Sequence, residues 1–440
     1  MKRSTGALLG LVALVATLGV LRATQGQDPR LDDDEASAPI VPAPEPAPAP
    51  TAPPTGRVWT VENIRELSPV APPHEDAVSR PIPTIPDYDE TLLTLGKVVE
   101  ARDGDPDNAW AIAHGILARG PEFRLTNQLP AVPYLFSVYA EPRTIGPLTF
   151  VGFPAERGGV PVESHTDLIL KNLSEVGVTP DASFPMGASA VTAADLYRYT
   201  LLKTWLKASE NKSSFKDPND MPWGVQALAA WAPDADLRWV AENGTPMDLD
   251  SLTDAMVLLL TRESKFMFDA MRAGEPFERK GQPLFSYTCG GAHLLQGTAY
   301  AVARGFGKPE DRKYVSAQGP LLLYRLPIEL GIYDAAITQH REFREKLLVQ
   351  RMKFLGHWLE SMSRLQILGL FSPDDLQLTQ IEGAAQNLVV TIRALKKQGT
   401  FDDLDAMRTR DPQLYLDVIG DAAHGIRGLE LALGRQKLRW

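Results

Sequence analysis

The chain has 440 residues, 44% of them hydrophobic and 23% charged, with a formal net charge of −10. That composition is ordinary for a globular protein, and its acidic balance excludes a nucleic-acid binder, which needs a basic face for phosphates. The length exceeds one average domain, although helical toroids and barrels fill such a length as a single one.

In chain order, Lys2 and Arg3 precede an uncharged run, Ala7 to Leu21, of 15 residues. A basic start followed by an apolar run reads as an export signal or signal anchor over 1–26, shorter than the ~20 residues that span a bilayer comfortably. Small residues before Gln27 offer a cleavage point. The expected location is the periplasm, anchored to the inner membrane through this segment if it is uncleaved and secreted if it is cleaved. "ASAPIVPAPEPAPAPTAPPTG" (36–56) favours polyproline geometry and reads as a spacer. A Pro/Ala-rich disordered linker and extended strap therefore occupy 27–88, and the folded domain is expected over 89–440.

From residue 89 onward apolar residues recur at helical spacing. Helices are predicted near 89–103, 108–119, 165–176, 192–208, 220–232, 249–272, 290–305, 310–329, 341–368, 374–397 and 411–434. Asp107 or Asn108, Thr192 and Ser372 are the predicted N-caps, the last with Pro373 in its first turn. The segment 134–153 alternates β-branched and aromatic residues and predicts an irregular hairpin. The expected fold class is all-α, an α/α toroid of about five or six helix pairs.

"YTCGGAHLLQG" holds Cys289, the chain's single cysteine. It can be a metal site, a nucleophile or tight backbone packing. Thr288 as N-cap would make Cys289 the first helical residue, where the helix dipole lowers a thiol pKa. His293 lies four residues on, so Cys289 and His293 are candidate ligands, and a third from His357 or His165 would suit zinc. His357 faces away from the stripe Leu348, Met352, Leu355, Leu359 and Met362. On an outer helix that face is solvated; on an inner one it lines a cavity, with Glu360 one turn away to orient the imidazole. His165 in "ESHTD" sits in a capping-box pattern formed by Ser164 and Asp167. His114 follows Trp110 by one turn at the edge of an apolar face. His74, His340 and His424 form no visible constellation. The chain carries no phosphate-binding G-x-x-x-x-G-K, nucleophile elbow, H-E-x-x-H or C-x-x-C.

In order, "NAWAIAHGILARG", "VPVESHTDLILKNLSEVGVTPDASF", "VTAADLYRYT", "YTCGGAHLLQG" and "LGHWLES" resemble segments of an uncharacterised bacterial family frequent in planctomycetes. Ala292 stands where that family has threonine in its C-G-G-T-H segment. The resemblance covers roughly residues 100–370 and implies a fold similar to the toroids of terpenoid cyclases and prenyltransferases. It implies no activity, and the D-x-D-D acid motif of terpenoid cyclases is missing from the toroid region. The expectation is a central cavity lined by His114, His165, Cys289, His293 and His357, acting on a cell-envelope component or glycan as a lyase or hydrolase. The alternative is a catalytically silent envelope scaffold or ligand-binding module.

Overall fold

The computed structural model describes residues 56–440 apart from 75–76, 217–218 and 234–235. The predicted signal segment and most of the spacer lie outside them. Helix dominates the described chain, as the periodicity predicts. No described helix is long and apolar enough to cross a membrane.

The helices are α1 Tyr88–Val98, α2 Ala109–Arg119, α3 Ala131–Tyr139, α4 Leu168–Val176, α5 Ala193–Lys203, α6 Met221–Ala230 and α7 Leu249–Ala273. They continue as α8 Ala292–Ala303, α9 Asp311–Ser316, α10 Gln318–Gln339, α11 Arg344–Ile367, α12 Asp375–Lys397, α13 Leu404–Arg410 and α14 Pro412–Ala432. Asn108 caps α2 by accepting from the Ala111 amide, and Thr192 caps α5 in a reciprocal box with Asp195. The cap of α12 is Asp374, boxed with Gln377, not Ser372. Pro373 therefore precedes the helix. The predicted hairpin at 134–153 is in part helix. Ala131, Val132, Leu135, Phe136 and Tyr139 share the buried face of α3, and the hairpin Glu141–Ile145/Leu148–Gly152 follows it. Aromatic and β-branched composition masks a helical spacing there.

The other strands are short and, except for the pairing of Val58–Trp59, local. The described residues between 58 and 86 hold one short 3-10 helix, Ile64–Glu66, and no α-helix. Val58–Trp59 pairs with the strand Arg238–Val240, and Ile64, Leu67, Ile82 and Ile85 enter the core.

Packing orders the helices in two sets. α2 packs on α4, α4 on α6, α6 on α8, α8 on α11, α11 on α14, and α14 returns to α2. Others pack against these: α3 on α2, α5 on α6, α7 on α8, and α10 and α12 on α11. The flanked helices are buried nearly all round, every residue of α6 included, as expected of helices covered on both sides. Contact between α11 and α14 is closest because glycines face each other. A Cβ on Gly428 would stand 2.5 Å from the Gly356 carbonyl oxygen, and one on Gly356 would stand 3.1 Å from the Gly425 nitrogen.

Candidate active site in the histidine-lined cavity

The N-terminal half of α2, the loop before α4, the start of α6, the turn before α8, mid-α11 and mid-α14 enclose a cavity of about 470 Å³. Its lining includes His114, His165, Cys289, His293, His357 and His424. All of the predicted cavity residues therefore converge, joined by His424, which has no visible constellation in the sequence. Glu360 lies beneath the lining, fully buried.

The rings form a continuous aromatic path. His165 stacks on Trp223 with ring centres 4.1 Å apart and planes within 5°. Trp223 meets His293 at 4.5 Å, His293 meets His357 at 4.9 Å, and His357 meets His424 at 3.9 Å. His114 stands 5.5 Å from His424 and 4.2 Å from Trp110. The glycine contact between α11 and α14 produces the tightest of these pairs, since Gly356 precedes His357 and Gly425 follows His424.

Several imidazoles are oriented by a second group. His424 Nδ1 lies 2.9 Å from Glu360 Oε2, His165 Nδ1 lies 3.0 Å from Asp220 Oδ1, and His114 Nδ1 lies 2.8 Å from the Trp110 carbonyl. In each case the N–H is taken to sit on Nδ1, donating to that oxygen, and the other ring nitrogen is left as an acceptor. His357 differs. It is 2% exposed, and neither of its ring nitrogens has a hydrogen-bond partner. Glu360 Oε2 is 3.7 Å from its Nδ1, beyond bonding range. Burial pushes the pKa values of His293 and His357 well below the ordinary 6.5, and the neighbouring imidazoles add to this. Burial likewise lowers His114, to about 3. These three rings are neutral at pH 7.

Beneath them lies a buried ionic floor. Glu175 accepts from Lys171 at 2.8 Å, Arg427 at 2.6 Å and Arg364. Arg364 also reaches Glu360 at 2.7 Å. Burial alone would raise both glutamates; Arg364, helped by Lys171 and Arg427 at Glu175 and by His424 at Glu360, instead holds them below the usual carboxylate range. Toward the rim, Lys353 lies 2.8 Å from Asp417 and 3.8 Å from Asp421.

The structure corrects three sequence expectations. Cys289 does not begin a helix. It lies in a tight turn, Thr288–Gly291, and α8 starts after it with Gly291 as N-cap. Cys289, Gly290 and Gly291 have φ values of 54°, 60° and 81°, three left-handed residues in succession. Glycine adopts that region freely and cysteine does not, which explains the glycines and marks local strain at the thiol. Arg325 fixes the turn through the Gly290 carbonyl at 3.0 Å, and a Cβ on Gly291 would strike Leu284 at 2.4 Å. Burial raises the Cys289 thiol pKa, the reverse of dipole activation. His165 opens no helix: α4 starts at Leu168, Asp167 at its N-cap makes no capping bond with its side chain, and Thr166 and His165 both bind Asp220. The solvated reading of the His357 face fails over the second half of α11, where His357, Glu360 and Arg364 are buried, while Lys346 near the helix start is exposed.

His424 escapes a reading of the sequence because its immediate neighbours in "DAAHGIRGLELALG", Ala422, Ala423 and Gly425, are small and carry no polar side chain. The available signal is shared with "LGHWLES" and "WAIAHGI": an imidazole beside a glycine on a helix, the mark of close helix approach at a polar centre. His74 and His340 stay outside, one stacked on Trp440 and the other at the end of α10. No family model, no curated protein and no solved structure matches this chain.

Proposed function

We propose that this is an exported, periplasm-facing enzyme of α/α-toroid architecture that performs proton-transfer chemistry on an acidic envelope polysaccharide. The closed packing order of α2, α4, α6, α8, α11 and α14 supports the toroid. One observation carries the chemistry: two carboxylate-oriented imidazoles, His165 with Asp220 and His424 with Glu360, open on one cavity. An imidazole positioned in this way is a general base at neutral pH.

Elimination fits this cavity better than hydrolysis. Hydrolysis of most glycosides needs two available carboxylates; here Glu175, Glu360, Asp220 and Asp417 are committed to cations or histidines, which leaves Asp107 and Asp421 on the lining. A uronate instead needs a base, a proton donor and positive charge near its carboxylate. Arg408 on the lining supplies that charge, since Lys171 and Lys353 are already paired with Glu175 and Asp417. His165 Nε2 takes the proton α to the carboxylate, the electron pair forms the carbon–carbon double bond, and the β glycosidic C–O bond breaks. The His165 imidazolium formed in that step then gives its proton to the leaving oxygen.

The test incubates the protein with uronate-bearing and neutral envelope polysaccharides and follows the ultraviolet absorbance of the unsaturated uronate. His165→Ala and Asp220→Asn should lower kcat by roughly 10²–10⁴-fold and leave KM nearly unchanged. Calorimetric binding of a glycan with no turnover by the wild type would instead assign the cavity to a binding module.

A further inference from the structure

We infer that Cys289, His293 and His357 form a zinc site with its open coordination position facing the cavity. The inference does not depend on elimination chemistry. The best-placed ligand atoms of these residues all lie within 4.8 Å of one another. Ligand atoms around tetrahedral zinc stand roughly 3.3–3.7 Å apart, given bond lengths of about 2.0–2.3 Å. At most about an ångström of side-chain movement therefore closes the set.

Independent observations point to a ligand here. The first is the orphaned imidazole of His357, 2% exposed with both nitrogens unsatisfied. A buried polar ring without a partner costs about 1–3 kcal/mol, and buried polar groups nearly always find one. A metal ion at one nitrogen removes that cost. The second is Cys289, a non-glycine residue held at φ 54° by a turn that Arg325 clamps, so the backbone presents the sulfur at a conformational cost.

A second group of possible ligands, His357, Glu360 and His424, shares His357. It is the poorer set. Glu360 already bonds Arg364 through Oε1 and His424 through Oε2, so both oxygens are engaged. Glu360 and His424 act instead as supports beside the site. When zinc binds, the Cys289 S–H bond breaks, its electron pair forms the Zn–S bond and the proton leaves to solvent through the cavity. Three protein ligands and a free fourth position are the pattern of catalytic rather than structural zinc.

The experiment uses the full chain purified without a histidine tag, elemental analysis, and titration of the chelated protein with Co²⁺. About one equivalent of zinc is expected, and cobalt should give tetrahedral ligand-field bands with a thiolate-to-cobalt charge-transfer band. Cys289→Ser should abolish that charge-transfer band and lower metal affinity by at least tenfold. The His165→Ala control, in the same cavity, should retain metal. Far-UV circular dichroism confirms that each variant is folded, and the nearly isosteric Cys289→Ser carries the test if His357→Ala does not fold. Absence of zinc and cobalt binding in the wild type overturns the site. A full metal complement in Cys289→Ser, or a cobalt spectrum without sulfur charge transfer in the wild type, overturns the ligand set.

Discussion

α11 and α12 follow one another in the chain, have nearly the same length and carry similar numbers of polar residues, yet they use them in opposite ways. On α12 the buried residues, Ile381, Ala384, Ala385, Leu388, Val389, Thr391, Ile392 and Leu395, form one stripe, and Arg393 and Lys396 meet Asp87 and Glu90 at the surface. The second half of α11 is buried on all sides, and its polar residues His357, Glu360 and Arg364 sit within the protein. The charge pattern that marks a solvated face on α12 marks a polar centre on α11. The difference lies in what surrounds each helix, since α11 is covered by α8, α10, α12 and α14.

That contrast is broken most severely by removing a charge from each helix. Arg364→Met leaves Glu175 and Glu360 short of a buried cation and should cost about 3–5 kcal/mol. Arg393→Met removes a surface partner of Asp87 and should cost no more than about 0.5 kcal/mol. Urea denaturation of both variants beside wild type measures the gap. Equal effects would mean that the Arg364 network is solvated.

Acid should sharpen the same distinction. In the folded chain burial holds His114, His293 and His357 below 6.5, His114 down to about 3. Below about pH 6.5 the unfolded chain takes up protons at these positions and the folded chain does not. The unfolded state then binds more protons, so stability is complete above that pH and falls as pH drops toward the folded values. Each ring contributes up to ~1.4 kcal/mol per pH unit. Denaturation midpoints of chelated protein should therefore fall steeply below about pH 6.5. His114→Gln should remove one ring's share of the slope, and an unchanged slope would mean that His114 protonates freely in the folded protein.

The sequence is most legible where one face meets solvent. The stripe of α12 and the caps at Asn108 and Thr192 can be read directly. Around the cavity the residue types are legible and their environment is not. His114, His165, Cys289, His293 and His357 stand out as candidates, but His424 and Asp220 do not. Their partners are separated by 64 and 55 residues, at Glu360 and His165. The Thr288–Gly291 turn misleads for a different reason. A cap residue followed by a cysteine fits a helix start, and only the clamp of Arg325 and Leu284 on the glycines shows that the backbone turns left-handed first.

The smallest expected effects concern two glycines placed differently on the two helix sets. Gly428 on α14 faces the Gly356 carbonyl, and an alanine methyl there would stand 2.5 Å from that oxygen, so the backbones of α14 and α11 must part. Overpacking of this kind costs about 1–3 kcal/mol, which exceeds the ~1 kcal/mol gained from better helix propensity. The same parting would separate His357 from His424. Gly383 on α12 lies within regular helix, and a methyl added to it would meet no heavy atom within 4 Å beyond its own turns of helix backbone. Gly383→Ala should therefore stabilise by about 0.5–1 kcal/mol, through propensity and a less flexible unfolded chain. Thermal melts of the two single variants should move in opposite directions. If Gly428→Ala is also stabilising, α11 and α14 are not in backbone contact, and the histidine pair held between them loses its structural cause.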